Sequence, residues 1–189
     1  TGDGTSGVYL FGAQLEAGSY STSLINTSGT AVTRVADACS QTVPSGIIGQ
    51  TEGTLYGEFT YSRDDGGTRR LLSLTDGGTT NRITTYVDSN DKISIYIVNS
   101  SSAQVDIRGL AALVVGTTYK YAIAYKLNDV KVYVNGVEDG SDTSATIPSC
   151  SQLYVGSENG NNPSYFNWNQ TLLYDTRLTN AELATLTTI

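Results

Sequence analysis

The stretch Tyr119–Gly136, YKYAIAYKLNDVKVYVNG, constrains the fold more than any other part of the chain. Tyr119, Tyr121, Ile123, Tyr125 and Leu127 alternate with Lys120, Ala122, Ala124 and Lys126. Beyond Asn128-Asp129 the alternation resumes, with Val130, Val132 and Val134 against Lys131, Tyr133 and Asn135. A period of two gives a strand one apolar and one polar face. A two-residue loop at Asn128-Asp129, whose residues tolerate the positive φ required, sets Leu127 opposite Val130, Tyr125 opposite Val132 and Ile123 opposite Val134. On the reverse face Lys126 then meets Lys131, a like-charge pair that only water tolerates, so that face is expected to be wet. The prediction is one long antiparallel hairpin, half buried.

The same alternation recurs along the chain. GTLYGEFTYS, from Gly53, reads as a strand with Leu55, Gly57, Phe59 and Tyr61 on one face and Tyr56, Glu58 and Thr60 on the other. RRLLSLTD runs back after a turn at Arg63-Asp64-Asp65-Gly66-Gly67, and Asp76-Gly77-Gly78 turns the chain again. NRITTYVD and KISIYIVN, joined by Ser89, Asn90 and Asp91, form a second hairpin. Its register sets Val87 against Ile93, Thr85 against Ile95 and Ile83 against Ile97, closed by Asp88 and Lys92. Its outward face carries Arg82, Thr84, Tyr86, Ser94 and Tyr96. Further strands are expected over Val8–Leu15, Ala31–Val35, Cys39–Val43, Ala103–Gly109, Gln152–Gly156 and Tyr165–Asp175, with a polar loop from Gly136 to Pro148. Thr179, with Glu182 three residues on, predicts a capping box opening a short helix. Many antiparallel strands and one terminal helical turn predict an all-β, antiparallel two-sheet sandwich.

A formal charge of −7 and a pI near 4.4, with no Lys/Arg cluster, argue against nucleic acid as a partner. The longest apolar run, Leu110–Val115, is far short of the roughly 20 residues that span a bilayer, so no membrane insertion is expected. The chain opens TGDGTSG and contains no Met, which reads as part of a longer polypeptide. Cys39 and Cys150 have no second Cys or His at metal-ligand spacing, which excludes zinc. They are either two buried free thiols or one disulfide tying an early strand to a late one.

AIAYKLNDVKVYVNG, then LYVGS, then YFNWNQTLLYDTRLTNAELATL resemble the concanavalin A-like lectin/glucanase sandwich in its laminin-G-like form. The marks are Tyr133–Gly136, Val155-Gly156, Tyr174, and Leu178-Thr179 with Glu182. The resemblance covers roughly residues 27–189 and implies a jelly-roll sandwich. Phe11–Cys39, FGAQLEAGSYSTSLINTSGTAVTRVADAC, is similar to a segment of bacteriophage tail-fibre and tailspike proteins, and Ile47–Phe59 resembles versions from viruses of Bacteroidetes. That implies residues 1–26 as a linker or remnant strand of an upstream domain, a location in the virion, a bacterial surface polysaccharide as partner, and a homotrimer as one option for the full protein.

Without histidine no Ser-His or Cys-His nucleophile exists, and no E-x-D-x-x-E strand of the glucanase branch occurs, so no enzyme is expected. Sugar recognition uses aromatic faces and planar polar groups. Arg82, Tyr86, Tyr96 and Tyr133, with room left above Ala122 and Ala124, are candidates for glycan contact. The alternative is that these are ordinary cross-strand pairs. Asn159, Asn161, Asn162 and Tyr165, beside Trp168, form a rival rim site unless Trp168 faces the core. Laminin-G-like domains often hold calcium at a rim. Asp64, Asp65, Asp76 and Asp88 are ligands by type, with Asp76 and Asp88 as the candidates for a calcium cofactor, although Asp is expected in such turns anyway.

Overall fold

Alternating segments that bury one face must pair and stack, and the computed structural model, which describes residues 3–5, 7, 12–16, 23–33, 39–64 and 66–189, shows how. The strands are β1 (Cys39–Thr42), β2 (Glu52–Thr60), β3 (Arg69–Thr75), β4 (Arg82–Val87), β5 (Lys92–Asn99), β6 (Ser102–Ala112), β7 (Thr118–Lys126), β8 (Asp129–Val134), β9 (Val137–Asp142), β10 (Gln152–Val155) and β11 (Asn167–Tyr174), followed by helix α1 (Asn180–Thr187). They form a six-stranded sheet ordered β1-β10-β3-β4-β5-β6 and a five-stranded sheet ordered β11-β2-β7-β8-β9, with every pairing antiparallel. Between them lies one apolar core that includes Leu55, Phe59, Leu71, Leu72, Leu74, Ile83, Ile95, Ile97, Tyr121, Ile123, Tyr125, Val130 and Val132. This is the expected all-β sandwich.

The chain divides into two compact units, Thr1–Asp37 and Ala38–Ile189. In the first, Gln14 accepts from the Ile25 amide at 2.6 Å and donates to Glu16. Of the strand expected over Val8–Leu15, the described part, Gly12–Leu15, is irregular, with Gly12 at φ 71°, and Val8–Phe11 lie outside the described residues. Ala31–Thr33 is likewise irregular, and Arg34 and Val35 lie outside the described residues.

The second hairpin pairs as the sequence predicts, Val87 with Ile93, Thr85 with Ile95 and Ile83 with Ile97. The leading hairpin corrects the sequence reading by two positions: Lys126 pairs with Asp129, Tyr125 with Val130, Ile123 with Val132 and Tyr121 with Val134. The loop is therefore Leu127-Asn128, with Asn128 at φ 56°. A slip of two preserves every face, so the buried set is unchanged except for Leu127, which moves into the loop and is 61% exposed. It also replaces the Lys126–Lys131 repulsion by a Lys126–Asp129 closing pair.

Asn135 and Gly136, at φ 48° and 84°, form a two-residue turn with both φ positive, and β9 follows directly, where the sequence reading placed a polar loop. VEDGSD lies at the edge of its sheet and shows no apolar alternation. The reverse face of β7–β8 is not wet. Ala122, Ala124, Tyr56 and Tyr133 pack with Leu183 of α1.

Thr179 caps α1: its Oγ1 accepts from the Glu182 amide at 3.3 Å while Glu182 Oε2 accepts from the Thr179 amide at 2.7 Å. Thr179→Ala is expected to lower stability by about 1 kcal/mol. A melting temperature within experimental error of wild type would contradict that assignment.

The disulfide alternative is corrected. Cys39 is exposed and pairs with Val155, whereas Cys150 is buried at the opposite end of β1, where the Val43 amide donates to Ser151. Four residues of strand, roughly 13 Å at about 3.3 Å each, separate the two sites. A disulfide spans Cα atoms no more than about 7 Å apart.

Candidate functional site

RRLLSLT does not alternate, and the reason lies in β3. Its register against β4 shifts between Arg70 and Ser73, so one extra residue is accommodated there. Leu71 and Leu72 both enter the core, and the Leu72 amide donates to Thr85 Oγ1 at 2.9 Å. The bulge puts Arg70 and Ser73 on the same outer face of the six-stranded sheet. Cross-strand rows on that face run Ser73, Thr84, Tyr96, Asp106 and Arg70, Tyr86, Ser94, Arg108, with Arg82 beside Thr84. Short hydroxyl side chains, Ser73, Thr84 and Ser94, make a fully buried floor between long ones.

Glu158 closes the group from above. Glu158-Asn159-Gly160-Asn161 is a tight turn with reciprocal Glu158–Asn161 backbone bonds and positive φ at Asn159 and Gly160, 49° and 76°. It is tied down by Asn159 Nδ2 donating to Gly78 O at 3.1 Å and by the Arg70 amide donating to Asn162 O at 2.9 Å. The Glu158 carboxylate, with its side chain 5% exposed, lies 2.8 Å from Arg70 Nε and 3.2 Å from Arg82 Nη1. The guanidiniums of Arg70 and Arg108 lie 5.1 and 5.4 Å from the Tyr86 ring centre, and that of Arg82 lies 5.5 Å from the Tyr96 ring. Burial pulls the Arg70 guanidinium below its ordinary pKa, with Glu158 opposing, and burial pushes the Tyr86 hydroxyl up. Ser73 Oγ, Thr84 Oγ1, Arg82 Nε and Asn159 Oδ1 are buried here without a hydrogen-bond partner.

Of the residues singled out from sequence, Arg82, Tyr86 and Tyr96 come together on this face, Tyr96 half-buried and Tyr86 buried between Arg70 and Arg108, and Asn161 and Asn162 are exposed at the neighbouring turn. Tyr165 stands exposed, with Arg63 and Arg69 at 4.6 and 5.3 Å from its ring. Tyr133 does not share the platform. β7 and β8 belong to the other sheet, whose outer face α1 covers, and Tyr133 donates to Glu138 there at 3.3 Å. Ala122 and Ala124 are fully buried beneath the same helix and leave no room for a ligand. Trp168 packs on Phe59 with ring centres 5.7 Å apart, which is the core alternative. The residues that sequence reasoning missed are Arg70, Ser73 and Glu158. The bulge hid the first two, and the only signal for the third was the Asn-Gly turn that delivers it.

Asp76 accepts from the Gly78 amide and Asn81 Nδ2 at 2.8 and 2.9 Å, and Asp88 from the Asn90 and Lys92 amides at 2.8 and 3.1 Å. They sit at opposite ends of β4, so they cannot share one ion. Asp64 caps the Gly66 amide, and Asp65 lies outside the described residues. Among the described residues no three His, Cys, Asp or Glu side chains group as a metal site requires, and no helix is long and apolar enough to cross a membrane. A cavity of about 410 Å³ lies elsewhere, between Val43, Pro44, Ile48, Gln50 and Cys150. It lacks convergent charges and aromatic rings, so the outer face of the six-stranded sheet is the stronger site.

The family model described as the concanavalin A-like lectin/glucanases superfamily matches residues 40–184. No curated protein matches the sequence. Among solved structures, the CBM40 of Ruminococcus gnavus IT-sialidase bound to α2,3-sialyllactose is similar with a TM-score of 0.58 and 16% identity over 73% of this chain and 83% of that one. Mouse laminin α1 domains LG4-5 give 0.59 and 11% over 76% and 40%. Trypanosoma rangeli sialidase gives 0.57 and 20% over 72% and 22%. At these identities the likeness is one of fold.

Proposed function

The chain belongs to the concanavalin A-like lectin/glucanase superfamily, and from that premise we propose that it is a non-catalytic, lectin-like module that binds a glycan on the outer face of its six-stranded sheet. The observation that carries the reading is the gathering of Arg70, Arg82, Tyr86 and Tyr96 over a floor of buried hydroxyls, two of which, those of Ser73 and Thr84, lack partners of their own. Aromatic rings offer flat faces to sugar C–H groups, and guanidiniums and hydroxyls answer sugar oxygens. Four glutamates are engaged in ion pairs or a cap: Glu52 with Lys126, Glu138 with Lys131, Glu158 with two arginines and Glu182 in the helix cap.

The sequence resemblance of Phe11–Cys39 to phage tail proteins supports a place in a virion, with a bacterial surface polysaccharide as the ligand. Calorimetric titration with host polysaccharide tests this reading. Tyr96→Ala is expected to weaken binding about tenfold, the factor that roughly 1.4 kcal/mol of lost stacking represents, and Tyr86→Ala to act likewise. Equal titrations for wild type and both variants, with melting curves showing them folded, would remove the face from consideration.

A structural reading draws on a different observation. Leu110 and Val137 are 71% and 67% exposed and line one groove between the edge strands β6 and β9. Contact between copies in a homotrimer would cover them. Light scattering separates the two readings, since a strict monomer at high concentration argues against assembly through this edge.

A further inference from the structure

The outer-face site already holds a carboxylate, and that carboxylate belongs to the protein. We propose that Arg70 and Arg82 form an anion subsite for a carboxylate-bearing sugar, and that Glu158 is its internal occupant, displaced when a sugar carboxylate enters. The proposal rests on the glycan-binding reading and names the ligand chemistry of the same face.

Three features carry it. First, Glu158 fits the arginines incompletely. Arg70 Nε and Glu158 Oε2 are 2.8 Å apart, yet neither atom is aligned as a hydrogen bond, and Arg82 Nε has no partner at all. A guanidinium is a planar fork that holds a carboxylate best through two parallel N–H bonds, and neither arginine is held that way. A carboxylate not tethered to the 158–161 turn is free to adopt that geometry. Second, two largely but not fully buried guanidiniums face one carboxylate, which leaves one positive charge of the triad uncompensated within it. Third, Glu158 leaves the floor unanswered. Ser73 Oγ and Thr84 Oγ1, on paired residues of β3 and β4, have no partner, and each is fully buried. An acidic sugar brings hydroxyls alongside its carboxylate and so supplies both needs at once, with Tyr86 and Tyr96 flanking.

Displacement does not require the turn to unfold. The backbone stays pinned by the Asn159 and Asn162 contacts, while rotation of the Glu158 side chain releases the arginines. Because the site is occupied in the free protein, the apparent affinity is the intrinsic affinity reduced by the fraction of molecules with Glu158 swung away.

Isothermal titration of the full chain tests both halves, using oligogalacturonate against the same oligosaccharide with its carboxyls reduced, and sialyllactose against lactose. The two pairs distinguish a uronic from a sialic source of the carboxylate. Wild type is expected to bind at least one acidic form about tenfold or more tighter than its neutral counterpart. Glu158→Gln, which keeps the shape and removes the charge, is expected to tighten the acidic form further, by about tenfold, without tightening the neutral one. The comparison of acidic and reduced sugars on wild type needs no variant, so it stands even if Glu158→Gln folds poorly. Equal binding of acidic and neutral forms overturns the anion subsite while leaving the lectin reading intact. Absence of binding to every form, host polysaccharide included, overturns both. A Glu158→Gln protein that melts like wild type but binds the acidic form no tighter, or more weakly, overturns the role of Glu158 as occupant.

Discussion

Replacing Arg70, Arg82 and Glu158 together by Met, Met and Leu is expected to leave the sandwich about as stable as wild type while abolishing glycan binding. Arg70→Met alone is expected to destabilise it by about 3 kcal/mol. The difference follows from how charge is buried. The arginine side chains are 17% and 19% exposed and that of Glu158 5%, so all three have lost most of their water. Their mutual attraction offsets that desolvation only while the set is complete. Removing Arg70 leaves Glu158 with one partner and deprives the Tyr86 ring of a cation at 5.1 Å. Removing all three also removes the desolvation, and apolar side chains of similar length refill the volume against Ser73 and Thr84. Urea unfolding of the single and triple variants, with titration of each, decides the matter. A triple variant as unstable as the single one would mean that the triad holds the 158–161 turn in place rather than serving a ligand.

The legible part of this fold was the part in which burial alternates. β4 and β5 showed their register because Ile, Val and Thr alternate on both arms and Asp88 and Lys92 close them. β7 and β8 showed their faces but not their register, since a period of two looks the same after a slip of two. β9 was invisible because an edge strand with one wet face needs no apolar residues. The candidate site was half legible for a related reason. Arg82, Tyr86 and Tyr96 lie on a regular strand pair, whereas Arg70 and Ser73 reach the same face only through a bulge that strict alternation denies. Glu158 arrives from a turn that lies seven strands after β3 in the chain, and nothing local to SENGNN states which sheet that turn covers. Tyr133 was misplaced because alternation says which residues leave the core, not whether water or a helix meets them.

Raising the pH from 9 to 12 is expected to unfold the protein cooperatively, and the reason is a core built with tyrosine where phenylalanine would be usual. The sequence holds thirteen Tyr against three Phe, and the structure places several of those hydroxyls indoors. Tyr121 is fully buried, its hydroxyl 3.1 Å from Thr85 across the sandwich, and Tyr125 donates to Gly49 O at 3.0 Å. Burial pushes both hydroxyls far above the ordinary tyrosine value. It also pushes Tyr56 up to about 12, with the Glu58 carboxylate adding to the effect, and Cys150 up to about 12. All four groups are neutral in both states below pH 9, so their contribution to stability is fully present there. As pH rises through the unfolded values, 10.0 for tyrosine and 9.0 for cysteine, the unfolded chain releases protons that the folded chain retains. Stability therefore falls with pH, by up to about 1.4 kcal/mol per unit for each group. Two or three such groups exhaust a net stability of about 5–15 kcal/mol within a few pH units. Tyrosinate absorbance followed with circular dichroism should show two phases. Exposed tyrosines ionise first with the sheet signal intact, and the buried ones then ionise together as that signal is lost. Tyr121→Phe should move the second phase to higher pH. A single smooth titration of every tyrosine, with sheet structure retained at pH 12, would show that these hydroxyls reach water without unfolding.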